Sequence, residues 1–313
     1  MKDKLIIGSG AAAMDTVIHC EGVLLDDGFS FIKKEWTTPG GSGANLITAV
    51  SHLGAKTAMV YGVGDDEYGR SITEGLIKDG VDTRFAVQKK GGVSLHTYCI
   101  VSNGGERTIL VNKGNSCFEM SPEDIPDNVM ENAELVYVDG GARAASAKLV
   151  RLAKEAGVPV FFQQENLAMD EKDSQEERDF RYILQNADLF SAGRDVYFQH
   201  TGLREHEAAL RTVYERYKPR FGVVMTAGKK GAYWYDGKTL IYQPVYPVAS
   251  VDSTGAGDAF CGGLAYAFFA AGLDKKAALS FAAACGAIKC TVPGPRLTKT
   301  AEEVNEFIRG NKI

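Results

Sequence analysis

The chain has 313 residues, 45% hydrophobic and 24% charged, enough to bury a substantial core; this excludes intrinsic disorder, a collagen-like repeat and a small disulfide-stapled scaffold. Its 35 basic and 40 acidic residues leave a net charge of −5, and no basic run exceeds a pair, so no nucleic-acid footprint is visible. No uninterrupted apolar stretch of ~18 residues occurs, so no membrane span is expected.

In chain order, residues 5–8 read as a short apolar strand rather than the core of a signal peptide. Residues 16–20 and 30–34 read as a pair of short antiparallel strands. Residues 43–53 have helical spacing, 57–62 form an apolar strand, and 66–79 form a helix. A second antiparallel pair, 95–101 with 107–111, is joined across Asn103-Gly104, a dipeptide suited to a tight turn. Strands at 135–138, 158–162, 188–190 and 221–226 then alternate with helices at 146–156, 178–186 and 205–217. Helices at 256–271, 275–290 and 301–309 complete the chain. Strands that are apolar on both sides, alternating with helices, predict a mostly parallel sheet covered on both faces, a three-layer α/β/α arrangement. The length allows one large α/β domain, or one large domain plus a small one, and the four remaining strands predict a small separate sheet inserted at about residues 16–35 and 92–112. Six cysteines (Cys20, Cys99, Cys117, Cys261, Cys285 and Cys290) stand in apolar settings without a CxxC pair, which points to buried thiols in a reducing, cytoplasmic setting.

Three glycine clusters compete as phosphate sites. Gly8, Gly10 and Ala13 match a dinucleotide pattern, GxGxxA. That pattern needs a helix opening at its second glycine and an acidic residue ~20 positions on, whereas residues 14–18 read as extended, so a nicotinamide site is disfavoured. Gly222 to Gly228-Lys229-Lys230 approaches a phosphate-binding loop, but the spacing is one residue too long and the hydroxyl that would hold magnesium is missing. The third, Asp252-Ser253-Thr254-Gly255-Ala256-Gly257-Asp258-Ala259-Phe260, precedes an apolar helix. Unpaired amides at a helix start carry partial positive charge and suit a phosphoryl group, with Asp258 in the first turn beside them. The motif alone is equally compatible with a glycine turn before an acidic helix start.

Residues 252–260 resemble the C-terminal signature, D-T-x-G-A-G-D-x-F, of ribokinase-like (pfkB) carbohydrate kinases. Gly40-Gly41-Ser42-Gly43-Ala44-Asn45, continuing through Leu53-Gly54-Ala55 to Gly62-Val63-Gly64-Asp65-Asp66-Glu67-Tyr68-Gly69, resembles the N-terminal signature. Thr226-Ala227-Gly228-Lys229-Lys230-Gly231 resembles the family's T-x-G-x-x-G segment. The resemblance covers nearly the whole chain and implies a single Rossmann-like domain spanning 1–313 with a β-sheet lid, transferring a phosphoryl group from ATP, with Mg2+, to a hydroxyl of a small carbohydrate. It implies Asp258 as general base and the amides of Gly255, Ala256 and Gly257 as an anion hole. Asp15, Gly40, Gly41 and Asn45 are the implied sugar contacts. Arg107, in the lid, fits a contact to a charged substrate and a solvated strand arginine equally well. Thr226, Gly228, Gly231, Thr254, Ala283 and Gly286 are the implied nucleotide contacts, and Asp252 with Thr254 an implied site for a monovalent cation such as K+. A homodimer paired through the lid is also implied.

The chain departs from the family in two places. The usual N-x-x-E segment is replaced by Ser191-Ala192-Gly193-Arg194-Asp195-Val196, leaving Asp195 as the nearby carboxylate for Mg2+. Gln163-Gln164-Glu165-Asn166 stands where many members have D-x-N. Ketohexokinase- and sulfofructose-kinase-like members also depart in the first segment, and their late helix ending resembles Ala287-Ile288-Lys289-Cys290-Thr291, which favours a ketose or modified ketose acceptor. A nucleoside or sugar-phosphate acceptor, a non-catalytic sugar or nucleotide sensor, and a nicotinamide-linked dehydrogenase are the alternatives.

Overall fold

The computed structural model describes residues 4–22, 29–102, 107–164 and 174–311. The chain runs β1 (Leu5–Ser9), β2 (Ala13–Cys20), β3 (Ile32–Gly40), α1 (Ser42–His52), β4 (Thr57–Gly64), α2 (Glu67–Lys78), β5 (Ala86–Lys89), β6 (His96–Val101) and β7 (Arg107–Asn112). It continues with β8 (Ala133–Val138), α3 (Arg143–Glu155), β9 (Val160–Gln164), α4 (Gln175–Asn186), β10 (Leu189–Gly193), α5 (Arg194–Thr201), α6 (His206–Tyr217) and β11 (Gly222–Thr226). It ends with β12 (Ala232–Tyr235), β13 (Leu240–Gln243), α7 (Ala256–Ala265), α8 (Lys275–Cys290) and α9 (Ala301–Gly310).

Nine strands form one sheet in the order β13-β12-β11-β10-β9-β8-β1-β4-β5. The strands from β11 to β5 pair in parallel, and β12 and β13 add an antiparallel edge. Successive residues of the central strands feed opposite layers. Ile6, Met59, Tyr61, Leu135 and Tyr137 pack with α1, α7 and α8, while Ile7, Val60, Val136 and Val138 pack with α3 to α6. This is the three-layer α/β/α arrangement that the apolar runs predict.

The second sheet has the order β3-β2-β6-β7. Both predicted hairpin pairs are antiparallel, and a parallel pairing of β2 with β6 joins them, Asp15 lying opposite Thr97. Strand β3 continues to Gly40, past the predicted end near residue 35, and so delivers Gly40 and Gly41 directly to α1. The predicted turn at Asn103-Gly104 and the Glu165-Asn166 pair lie outside the described residues.

Helix starts follow their cap chemistry. The carboxylates of Asp66 and Asp274 accept the Gly69 amide at 2.8 Å and the Ala277 amide at 2.9 Å, and Thr300 with Glu303 forms a capping box. The predicted helix over 256–271 divides into α7 and a π-helical turn, Tyr266–Ala270. Four of the cysteines are buried; Cys99 and Cys290 are half-buried, a correction to the expectation for those two. Among the described residues no helix is long and apolar enough to cross a membrane.

Candidate active site

Parallel strands leave their C-terminal ends as the rim of a crevice, and here β9, β10 and β11 end against the start of α7. Gly255 caps α7 with φ 73°, a conformation that L side chains avoid, and a Cβ there would collide with the carbonyl of Pro295. This tight entry turns Asp258 inward, leaving it 7% exposed. Its Oδ2 accepts a hydrogen bond from Nδ2 of Asn45 at 2.9 Å. Asn45 is itself buried in α1, and its Oδ1 has no partner among the described residues.

Of the three amides expected to form an anion hole, that of Ala256 donates to the Ser253 carbonyl at 3.2 Å and is already used. The amides of Gly255 and Gly257 have no protein acceptor among the described residues, and Gly257 faces open space. A cleft of about 290 Å³ opens here, lined by Gln163, Gln164, Ser191, Thr226, Gly257 and Asp258. It shares Gly193 and Thr226 with a wider cleft of about 590 Å³ that carries Arg194, Asp195, Gly228, Lys229 and Lys230. One end of the crevice therefore holds a buried carboxylate and open amides, and the other holds basic side chains around a glycine turn.

On the far side of α1, Asp15 sits in β2 and accepts from the Thr97 hydroxyl at 2.7 Å. Burial raises its pKa above the ordinary carboxylate value, against the Thr97 bond and the charge of Arg296. Gly40 lies directly against it: a Cβ on Gly40 would occupy the position of the Asp15 carboxylate. Gly41 has φ 87° and its carbonyl accepts the Asn45 amide at 2.8 Å. Asp15, Gly40, Gly41, Asn45 and Asp258 are thus connected through the first turn of α1. Arg107 begins β7 opposite Val101, four ladder positions or ~13 Å of strand from Asp15; its side chain lies outside the described residues.

The remaining nucleotide and cation expectations divide. Thr226 and Gly228 line the crevice, whereas Gly231, at φ 83°, closes the turn by accepting the Ala227 amide at 2.8 Å. Gly286 packs α8 onto α7, where an added Cβ would stand 3.2 Å from the Ala256 carbonyl, and Ala283 packs on the apolar core; neither lines either cleft. Thr254 is exposed, and its amide donates to Asp252 Oδ1 at 2.9 Å. Of the two residues expected at a monovalent cation, Asp252 contacts a buried lysine. Lys289, 0% exposed, places Nζ 2.8 Å from the Asp252 carbonyl, 3.3 Å from the Val292 carbonyl and 3.9 Å from Asp252 Oδ2. Burial lowers the Lys289 pKa, against the charges of Asp252, Cys290 and Asp258.

Residues 6–301 match the family described as pfkB family carbohydrate kinase. The chain belongs to this family. It is 29% identical over 306 residues to the ATP-dependent ribose-1-phosphate kinase of Halopiger xanaduensis, covering 97% of each chain. It is 29% identical over 326 residues to fructokinase-2 of Solanum lycopersicum, covering 98% of this chain and 96% of that one. The ribokinase of Arabidopsis thaliana, solved with ribose and ATP, superposes with a TM-score of 0.83 at 24% identity, covering 99% of both chains, which is a likeness of fold.

Three residues of this pfkB-family chain escape a reading of its signatures. Asp139, after β8, accepts the amides of Ala11 at 2.7 Å and Gly141 at 2.8 Å and pins the loop before β2; burial raises its pKa against those donors. Arg296 donates from Nη1 to Asp79 at 2.6 Å, while its Nε and Nη2 are buried without an acceptor among the described residues. Lys289 ends an apolar helix, where a lysine reads as a solvated residue complementing the helix dipole. A lone charge at the end of an apolar run was the available signal for it.

Proposed function

We propose that this carbohydrate kinase transfers the γ-phosphoryl group of ATP to a hydroxyl of a small sugar, with Asp258 taking the hydroxyl proton. The observation that carries this reading is a carboxylate held by Asn45 at 2.9 Å in the first turn of α7, beside the open amides of Gly255 and Gly257 and on the wall of the crevice. Phosphoryl transfer depends on positioning and charge neutralisation, and this arrangement offers both. The two amides stabilise charge on the transferring phosphoryl oxygens, with Ala256 no longer among them. Asp15, Gly40 and Asn45 orient the acceptor from the α1 side.

The wider cleft fits a nucleotide: Arg194, Lys229 and Lys230 match phosphate charge, and Thr226 and Gly228 permit close approach. Magnesium characteristically takes one or two carboxylates together with phosphate oxygens, and Asp195 is the carboxylate on that wall. Bound Mg2+·ATP supplies the phosphoryl group and neutralises part of its charge.

The exposed apolar residues of the lid support a homodimer, and thiols without a disulfide among the described residues support a reducing, cytoplasmic setting. The test is an ADP-release screen with Mg2+ and ATP over ketoses, aldoses, sugar acids, sugar phosphates and nucleosides. The anionic acceptors belong in it because the charge of Arg296 reaches Asp15. Acceptor-dependent ADP release that is lost in Asp258→Asn supports the reading. ATP binding without acceptor-dependent turnover overturns it in favour of a sensor.

A further inference from the structure

We propose that the ammonium of Lys289 is a built-in monovalent cation. It fills the oxygen cage that a bound potassium ion would need, steadies residues 251–254 ahead of the Gly255 and Gly257 amides, and makes turnover independent of added potassium. The turnover part rests on the kinase reading above; the occupancy part does not.

Nζ has three oxygen contacts, two carbonyls and one carboxylate, the kind of donor that a large monovalent cation takes. An ammonium group and a potassium ion are close in size, so the two exclude each other from one cage. The cage also lies at the C-terminal end of α8, whose terminal carbonyls favour a positive charge. With the side chain 0% exposed, that charge persists only because these oxygens replace water.

The cage ties together the segments that shape the site. The Cys290 carbonyl accepts the amides of Val251 at 2.7 Å and Asp252 at 3.2 Å. The Asp252 carboxylate accepts the amides of Thr254 at 2.9 Å and Gly294 at 3.0 Å. Lys289 holds Asp252 by its carbonyl and lies near its carboxylate, so the path from ammonium to anion hole is Lys289, Asp252, the Thr254 amide, then Gly255. Burial works against the Asp252 carboxylate, but the hydrogen bonds from Thr254 and Gly294 and the charge of Lys289 outweigh it and hold its pKa below the ordinary value. Lys289 is therefore a positioning residue for the anion hole.

The experiment compares the wild type, Lys289→Ala and Lys289→Met in tetramethylammonium buffer, titrated with K+ or NH4+, reading both turnover and melting temperature. Wild-type turnover and melting are expected to be flat in K+. In Lys289→Ala, kcat is expected to fall, up to ~10²-fold, with acceptor KM unchanged, because a displaced phosphoryl site costs rate rather than sugar binding. Potassium or ammonium should restore it saturably, and should raise its melting temperature where tetramethylammonium does not. Lys289→Met, whose side chain keeps the cage filled, should stay impaired in every salt. A severalfold rise of the wild-type rate with K+ would sink the proposal, and this arm needs no variant to fold. Full activity of Lys289→Ala without added cation would sink it too. The melting arm needs no acceptor: stabilisation of Lys289→Ala by potassium or ammonium, but not by tetramethylammonium, upholds the occupancy even if no sugar is phosphorylated, in which case the kinase reading alone fails.

Discussion

Asn45 and Asp258 lie 213 residues apart and meet through a 2.9 Å hydrogen bond from Nδ2 to Oδ2. The bond fixes the carboxylate on the wall of the crevice. Asp258→Asn removes the base and is expected to lower kcat by ~10²–10⁴-fold, measured as ADP release at saturating sugar. Near-normal turnover in a purified, folded Asp258→Asn protein would exclude this role.

Asn45→Ala is expected to act differently from Asp258→Asn. It frees the Asp258 carboxylate to rotate and removes a polar group from the acceptor side, so both kcat and acceptor KM should change, while ATP KM should not. A change confined to ATP KM would place Asn45 outside the sugar site.

Gly40 and Gly41 carry the lid strand into α1. An alanine at 40 overlaps the Asp15 carboxylate, and one at 41 must hold φ 87° with its Cβ 2.5 Å from the Ala11 carbonyl. Gly41→Ala is expected to cost ~1–3 kcal/mol of stability and to raise acceptor KM, read by denaturant unfolding and steady-state kinetics. Unchanged stability would show that the loop before β2 yields to the added methyl.

The Asp236–Lys275 pair predicts a pH dependence. Burial works against the Asp236 carboxylate, but the Lys275 ammonium at 2.5 Å and the amides of Thr239 and Lys238 outweigh it, lowering its pKa from 3.8 to about 2. A depressed carboxylate stabilises the fold fully above the unfolded value and loses that contribution as pH falls from about 4 through 2. Asp236→Asn should cost ~1 kcal/mol at neutral pH, allowing for solvent screening of a partly exposed pair. The difference between the two proteins should vanish in the acid range; a constant gap would contradict it.

The lid exposes Ile109, Leu110 and Val111 consecutively on β7, an outer strand, together with Ile32 and Trp36 on the opposite edge strand β3. Open apolar strand edges favour pairing with another strand. The wild type is expected to sediment as a dimer and Leu110→Lys as a monomer. A monomeric wild type over a wide concentration range would remove the lid interface.

The alternation of doubly apolar strands with helices is a local property, and it foretold the parallel sheet. Shorter pieces were hidden. The β12–β13 hairpin brackets Asp236-Gly237, a turn signal whose flanking strands are only four residues each, and β5 is equally short. Helix α5 follows directly on β10, with Gly193 as its cap, so no loop punctuation marks it. The parallel joint of β2 to β6 pairs strands that are 82 positions apart at Asp15 and Thr97, and no short-range pattern encodes such a register.

The identity of the candidate site was written in the chain itself. Glycine permits the turn at 255, a helix start leaves amides unsatisfied, and an aspartate three positions on falls in the first turn, all consequences of backbone geometry over a few residues. Tertiary structure decided which of those groups remain available. It set Asn45 against Asp258 and drew Lys289 among oxygens from two loops, whereas the Ala256 amide was spent within its own turn on Ser253. The reason is that an amide or an ammonium is spent or kept according to which distant atoms packing brings within hydrogen-bond reach, and that is settled only when the layers close.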